Sequence, residues 1–297
     1  PTSHNATNLP PPNQKDAGTR VSLVIGVEVS TTSVMVVFVS ARFYMRTFVK
    51  KVLGMDDWVM AVAAILATTT AILNCVETRH SLGLHIWNIP QELLEPASEV
   101  RTMGLISVAL FVTCTALTKI SMCIAYLRIL ITRSNRIFCY CAMSFVLATW
   151  IYMVFIIIFQ AVHLFSPWDF SKSPLNREAV LLSFAVINSI SDFLIFLWPS
   201  RTLWTVRLPT KQRLGLVFVF SIGCIVCVAG VSRIAYIIQC FHSPDIFYNV
   251  AVVYIICAVE ANVGIICGCL PILKPLLARY FHSIFGNNIP IKHSIPS

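Results

Sequence analysis

Seven apolar runs of roughly 20 residues each constrain this chain more than any other feature. They cover residues 21–41, 58–75, 103–127, 137–162, 179–198, 214–237 and 247–270. At a rise of about 1.5 Å per residue, each is long enough as a helix to cross the ~30 Å hydrocarbon core of a bilayer. Inside lipid every backbone N–H must find its acceptor within the same segment, so such runs fold as helices. A membrane barrel would show alternating segments of about 10 residues instead. Composition points the same way: 57% of the 297 residues are hydrophobic and only 12% charged, against roughly 25% charged in soluble domains. A soluble enzyme, a disordered tail and a disulfide-stapled secreted domain are all excluded. The expected fold is an all-α, seven-transmembrane helix bundle.

The Lys and Arg residues set the expected orientation. Counting segments alternately, fourteen of the 22 basic residues lie on the side of the C-terminus and six on the other. The positive-inside rule therefore places the N-terminus outside and the C-terminus in the cytoplasm. The net charge of +9 is read as this orientation signal, and no nucleic-acid partner is expected. Residues 1–20 form a polar outer segment, without the apolar core of a signal peptide. The chain opens at Pro1, so an initiator Met at least is expected before it. The sequon at Asn5 lies on the predicted outer side and is a candidate glycosylation site. Residues 21–270 form the membrane domain and 271–297 a short cytoplasmic tail. There Leu276, Leu277, Tyr280, Phe281 and Ile284 recur at helical spacing. A separate helix on the inner leaflet is one reading, with Pro271 and Pro275 marking a break, and a frayed end of span 7 is the other.

Ionisable residues inside apolar spans are costly and usually face the bundle interior. Four stand out. Counting from the outer face at 1.5 Å per residue, Lys119 lies ~24 Å down span 3, Asp192 ~20 Å down span 5 and Glu260 ~18 Å down span 7. Arg233 lies only ~6 Å down span 6 by the same count. Asn188 precedes Asp192 by one turn on the same face. One base and two acids thus share a layer. They suit either a polar pocket that binds and protonates a substrate, with Lys119, Asp192 and Glu260 as catalytic candidates, or a structural ion pair joining spans 3, 5 and 7.

On the outer side, His85 and Trp87 follow a turn at Ser81-Leu82-Gly83, and His163, Trp168 and Asp169 sit on the next outer loop. They could roof a pocket or form an interfacial aromatic belt with exposed histidines. On the inner side, Asp56 and Asp57 are placed to cap span 2, with Arg42 and Arg46 as partners for them or for lipid phosphate. Arg128 is explained by the C-terminus of its helix. Most of the eleven cysteines fall in spans or at inner ends. Cys75 and Cys240, near outer ends, could pair. Cys224 and Cys227 have metal spacing but lack a convergent His, so no metal is expected. No phosphate loop and no Ser/His/Asp set appears, and no cofactor is implied. Residues 247–270 contain no lysine, which argues against a retinal Schiff base in the last span.

A further set of residues occurs in a characteristic order. Arg42-Phe43-Tyr44-Met45-Arg46 precedes Gly54-Met55-Asp56-Asp57-Trp58. Then follow Gly83-Leu84-His85, Lys119-Ile120-Ser121, Tyr126-Leu127-Arg128, Trp168-Asp169, Asn188 to Asp192, Ser232-Arg233, Glu260 and Cys269-Leu270-Pro271. This order resembles the fungal rhodopsin-like integral membrane family, from about residue 21 to 278. The resemblance implies a multi-pass protein of the endomembrane or plasma membrane. It implies a part in fungal secondary-metabolite, mycotoxin-type biosynthesis, with an apolar small-molecule substrate, membrane lipids and other pathway enzymes as partners. An acid/base cyclase or isomerase is one form of that role. A G-protein-coupled-receptor-like sensor is the alternative.

Overall fold

The computed structural model describes residues 18–49, 51–85, 97–129, 132–165, 177–204, 210–243 and 245–285. These residues form seven helices: α1 Val21–Tyr44, α2 Met55–Glu77, α3 Ala97–Ile129, α4 Arg133–Phe165, α5 Arg177–Trp204, α6 Thr210–His242 and α7 Ile246–Phe285. All seven are long and apolar enough to span a membrane. Each packs on its neighbours in chain order, and α7 closes the ring on α1. Inside the ring, α3 also touches α5 and α7, and α2 touches α7. The apolar window of α3 is 61% buried and that of α4 only 11%, so α3 is the central post and α4 the most peripheral span. The main core gathers Met60, Phe111, Met122, Met153, Phe184 and Ile265 around α3.

Helix ends differ from the apolar runs in ways that matter for the site. The helix carrying Arg233 continues to His242, five residues beyond the expected end of its run. At ~1.5 Å per residue this sinks Arg233 by about 8 Å, correcting its expected shallow position. Hydropathy ends where Gln239 and His242 begin, whereas backbone hydrogen bonding does not. The last helix runs through Pro271 and Pro275 to Phe285, where a break was one expectation. A proline deprives one carbonyl of its helical donor and bends the helix, and neighbours can supply donors to the loosened turn. The carbonyl that Pro271 deprives is that of Cys267; next to it in sequence, the Gly268 carbonyl accepts from Arg42 Nη1 at 2.9 Å.

The end of the bundle where α1 leads into α2 is tied by ions. Helix α1 ends in a π-helical turn, Met45–Val49, and α2 begins at Met55. Asp57 does cap this helix: its Oδ2 accepts the Gly54 N–H at 3.0 Å. It also pairs with Arg42, whose Nε lies 2.9 Å from Oδ1. Asp56 receives Arg42 Nη2 at 2.9 Å, Arg46 Nη2 at 2.8 Å and Arg128 Nη1 at 2.6 Å. Arg128 is therefore a cross-helix tie from α3 to α2 in addition to a helix-end cation.

Candidate functional site

Halfway along the bundle, four helices each contribute a charged group to one buried layer. Lys119 from α3 is 5% exposed, Asp192 from α5 3%, and Arg233 from α6 and Glu260 from α7 2% each. Lys119 Nζ lies 3.1 Å from Asp192 Oδ1 and donates to Asn188 Oδ1 at 2.8 Å, the Asn188 carbonyl at 3.0 Å and Ser191 Oγ at 2.6 Å. Asn188 and Asp192 face the same way because residues four apart on a helix align. Asn188 turns its amide the other way, Nδ2 donating to Asp192 Oδ2 at 3.2 Å and Glu260 Oε1 at 2.6 Å. Arg233 Nη1 lies 3.3 Å from Glu260 Oε2. The layer runs Lys119–Asp192–Asn188–Glu260–Arg233, with Asn188 as the bridge.

Two cations face two carboxylates, so the layer is charge-balanced. Balance is what lets charges stay in a low-dielectric interior, because removing an ion from water costs several kcal/mol unless a partner compensates. Chemically, the layer holds paired proton donors and acceptors shielded from water. Beside it lies a shallow open cleft with a cavity volume of about 10 Å³, room for about one water molecule. Lys119, Asn188 and Ser191 form its polar wall; Val112, Val146, Trp150 and Phe184 form its apolar walls on α3, α4 and α5.

The structure thus brings together Lys119, Asp192, Glu260, Asn188 and Arg233. His85 lies elsewhere, at the end of the bundle where α7 begins. Its Nδ1 is 2.5 Å from Asp245 Oδ2, and its ring stacks on Tyr248 with centroids 4.0 Å apart. Arg20 covers the same Tyr248 ring at 3.8 Å. Asp245 was not among the residues singled out from sequence. Trp168, Asp169 and Asn5 lie outside the described residues. Cys75 and Cys240 are separate thiols.

A second polar cluster escaped the sequence reading. Glu28 on α1, 1% exposed, accepts Asn74 Nδ2 from α2 at 2.6 Å, and Ser107 on α3 donates to Asn74 Oδ1 at 2.6 Å. Glu77, 4% exposed, lies by the Tyr254 hydroxyl of α7. Glu28 carried the same signal as the other four, an ionisable residue inside an apolar run. Glu77 falls two residues past the expected end of its run.

Comparisons with known proteins agree with this architecture. The family profile described as fungal rhodopsin domain matches residues 41–279. A SAT4 family membrane protein of Emericella nidulans is 26% identical over 220 residues, covering 71% of this chain and 54% of its own length. Fugralins biosynthesis cluster protein 2 of Gibberella zeae is 26% identical over 110 residues, 37% of this chain and 26% of that protein. The chain spans about half the length of the first relative and about a quarter of the second. No solved structure matches. With a profile match over most of its length and seven spanning helices in a closed ring, the chain belongs to the fungal rhodopsin family of multi-pass membrane proteins.

Proposed function

We propose that this protein serves fungal secondary-metabolite biosynthesis by binding an apolar intermediate in the membrane and cyclising or rearranging it by acid–base chemistry. The observation that carries the reading is the buried, charge-balanced layer of Lys119, Asp192, Arg233 and Glu260. Proton transfer in such a site needs no metal, and exclusion of water protects reactive intermediates. The biosynthesis-cluster relative supplies the pathway context. Glu260 and Asp192 exchange protons with the substrate, Lys119 holds Asp192 in place, and Asn188 couples the two acids.

Gene deletion tests this. One intermediate or shunt product should accumulate while upstream genes remain transcribed. Glu260→Gln at matched protein level should reproduce the accumulation, and expression with the upstream enzymes in a foreign host should restore the step. Unchanged metabolites with altered transcription would overturn the reading. That outcome would favour a sensor, for which the Arg128–Asp56 tie is the supporting observation. It joins α2 and α3 at the end expected to face the cytoplasm, and the Arg128 side chain is 42% exposed.

A further inference from the structure

Seven carboxylates are buried among the described residues. Five of them, Asp56, Asp57, Asp192, Asp245 and Glu260, face an arginine, lysine or histidine side chain. Glu28 and Glu77 face none among the described residues. Glu28 is held by the Asn74 amide at 2.6 Å. Glu77, 4% exposed, has the Tyr254 hydroxyl as its hydrogen-bonding neighbour, and its Oε1 has no partner. A negative charge placed this way in a protein interior is costly, and a cation that joins it relieves the cost.

Gly104 on α3 sets the space beside that oxygen. Beyond its chain neighbours and the backbone of its own turn, a Cβ on Gly104 would meet only two heavy atoms within 4 Å. Both are oxygens, Tyr254 Oη at 3.5 Å and Glu77 Oε1 at 4.0 Å. The missing side chain leaves a methyl-sized hollow where α2, α3 and α7 meet, walled by oxygen on two sides. Gly104 is half-buried, so the hollow is not sealed. Glu77 is the last residue of α2, which puts the hollow at the end of that span. Tyr254 precedes Glu260 by six residues, about 9 Å along α7, so the hollow is separate from the central layer.

These features narrow the ligand. Oxygen ligands, one of them ionised, suit a hard cation. One carboxylate balances one positive charge, and no group of three His, Cys, Asp or Glu side chains that could hold a metal ion occurs among the described residues. A hollow the size of a methyl group fits an alkali ion and excludes a substituted amine. We propose that Glu77 Oε1 and Tyr254 Oη bind a Na+ ion in the hollow at Gly104. The ion compensates Glu77 and ties α2 to α7 across α3. This site stands independently of the acid–base reading of the central layer.

Thermal unfolding of the purified protein in lipid nanodiscs tests the site. NaCl is exchanged for choline chloride at constant ionic strength and mildly alkaline pH, where protons compete least. The melting temperature should rise by about 2 °C once Na+ is roughly tenfold above its dissociation constant. Radioactive Na+ should bind at saturation as one ion per chain. Glu77→Gln keeps the shape and removes the charge. It should melt no lower than the parent in choline chloride and should lose the Na+ response. Gly104→Ala puts its methyl at ordinary contact distance, so the fold is kept while the hollow is filled, and Na+ affinity should fall roughly tenfold. Should Glu77→Gln fail to fold, Gly104→Ala carries the test alone. A Na+ response that survives in Glu77→Gln, or Na+ affinity unchanged in Gly104→Ala, would overturn the proposal. So would a parent that melts identically in the two salts, an outcome that assigns a proton to Glu77 instead.

Discussion

Lys119 is surrounded by four acceptors, one of them the Asp192 carboxylate at 3.1 Å. Asp192→Asn removes the charge partner and leaves a buried ammonium, so it should cost about 3–5 kcal/mol. Lys119→Met added to Asp192→Asn should recover part of that loss, since a neutral pair carries no stranded charge. Thermal unfolding of the detergent-purified variants checks both; an Asp192→Asn protein as stable as the parent would contradict the pairing. In the second cluster, Asn74→Leu should cost about 1–3 kcal/mol by taking the hydrogen-bond donor from buried Glu28, measured the same way. Lys119, Asp192 and Glu260 were legible in the sequence because an ionisable residue in an apolar run has few tolerable places to go. Their pairing was legible only as a shared depth. Asn188 as bridge, Arg233 as the partner of Glu260, and Asp245 beside His85 depend on helix rotation and on where each helix ends, which hydropathy does not report.

Among the elements, the seven spans were readable because the bilayer thickness sets their length. The joints between them were less so. Gly54 shows why: a Cβ there would collide with the Arg128 guanidinium and the Asp56 carboxylate, so its meaning lies in a contact 74 residues away. Gly54→Ala should displace Arg128 and weaken the tie between α2 and α3. Because Arg128 is well exposed, the loss should be modest, about 1 kcal/mol. Adding Arg128→Ala should cost nothing further, and a double-mutant cycle of melting curves reads that non-additivity. At the opposite end, the turn at Gly83 was legible. Its φ is +83°, and it joins two elements by backbone bonds: Arg20 N–H donates to the Gly83 carbonyl at 3.0 Å, and Gly83 N–H donates to the Phe247 carbonyl at 3.3 Å. An L side chain in that conformation costs about 1–2 kcal/mol, so Gly83→Ala should lower the melting temperature. The run of α7 through Pro271 was not legible, because a proline in the sequence signals a break and the surrounding packing decides whether the helix continues.

For the whole molecule, the remaining question is which end faces the cytoplasm, and the charges argue it. Fourteen basic residues against six give the asymmetry, and acidic residues weigh little in the positive-inside rule. The pairing of Arg42, Arg46 and Arg128 with Asp56 and Asp57 in the folded bundle therefore does not cancel their effect during insertion. Arg133 and Arg136 follow on the same side. The expected topology has the inner ion network at the cytoplasmic face and the His85–Asp245 pair at the outer face. With tags at both ends in sealed microsomes, added protease should remove the C-terminal tag and spare the N-terminal one. Glycosidase treatment should shift the mobility of the full chain and leave an Asn5→Gln variant unchanged. Moving charge should move topology: replacing Arg133, Arg136, Lys211 and Arg213 by Gln narrows fourteen against six to ten against six, and should yield a fraction of chains with the C-terminal tag protected. A protected C-terminal tag in the parent protein would reverse the orientation, and with it the side from which the bundle's two polar ends meet the cell.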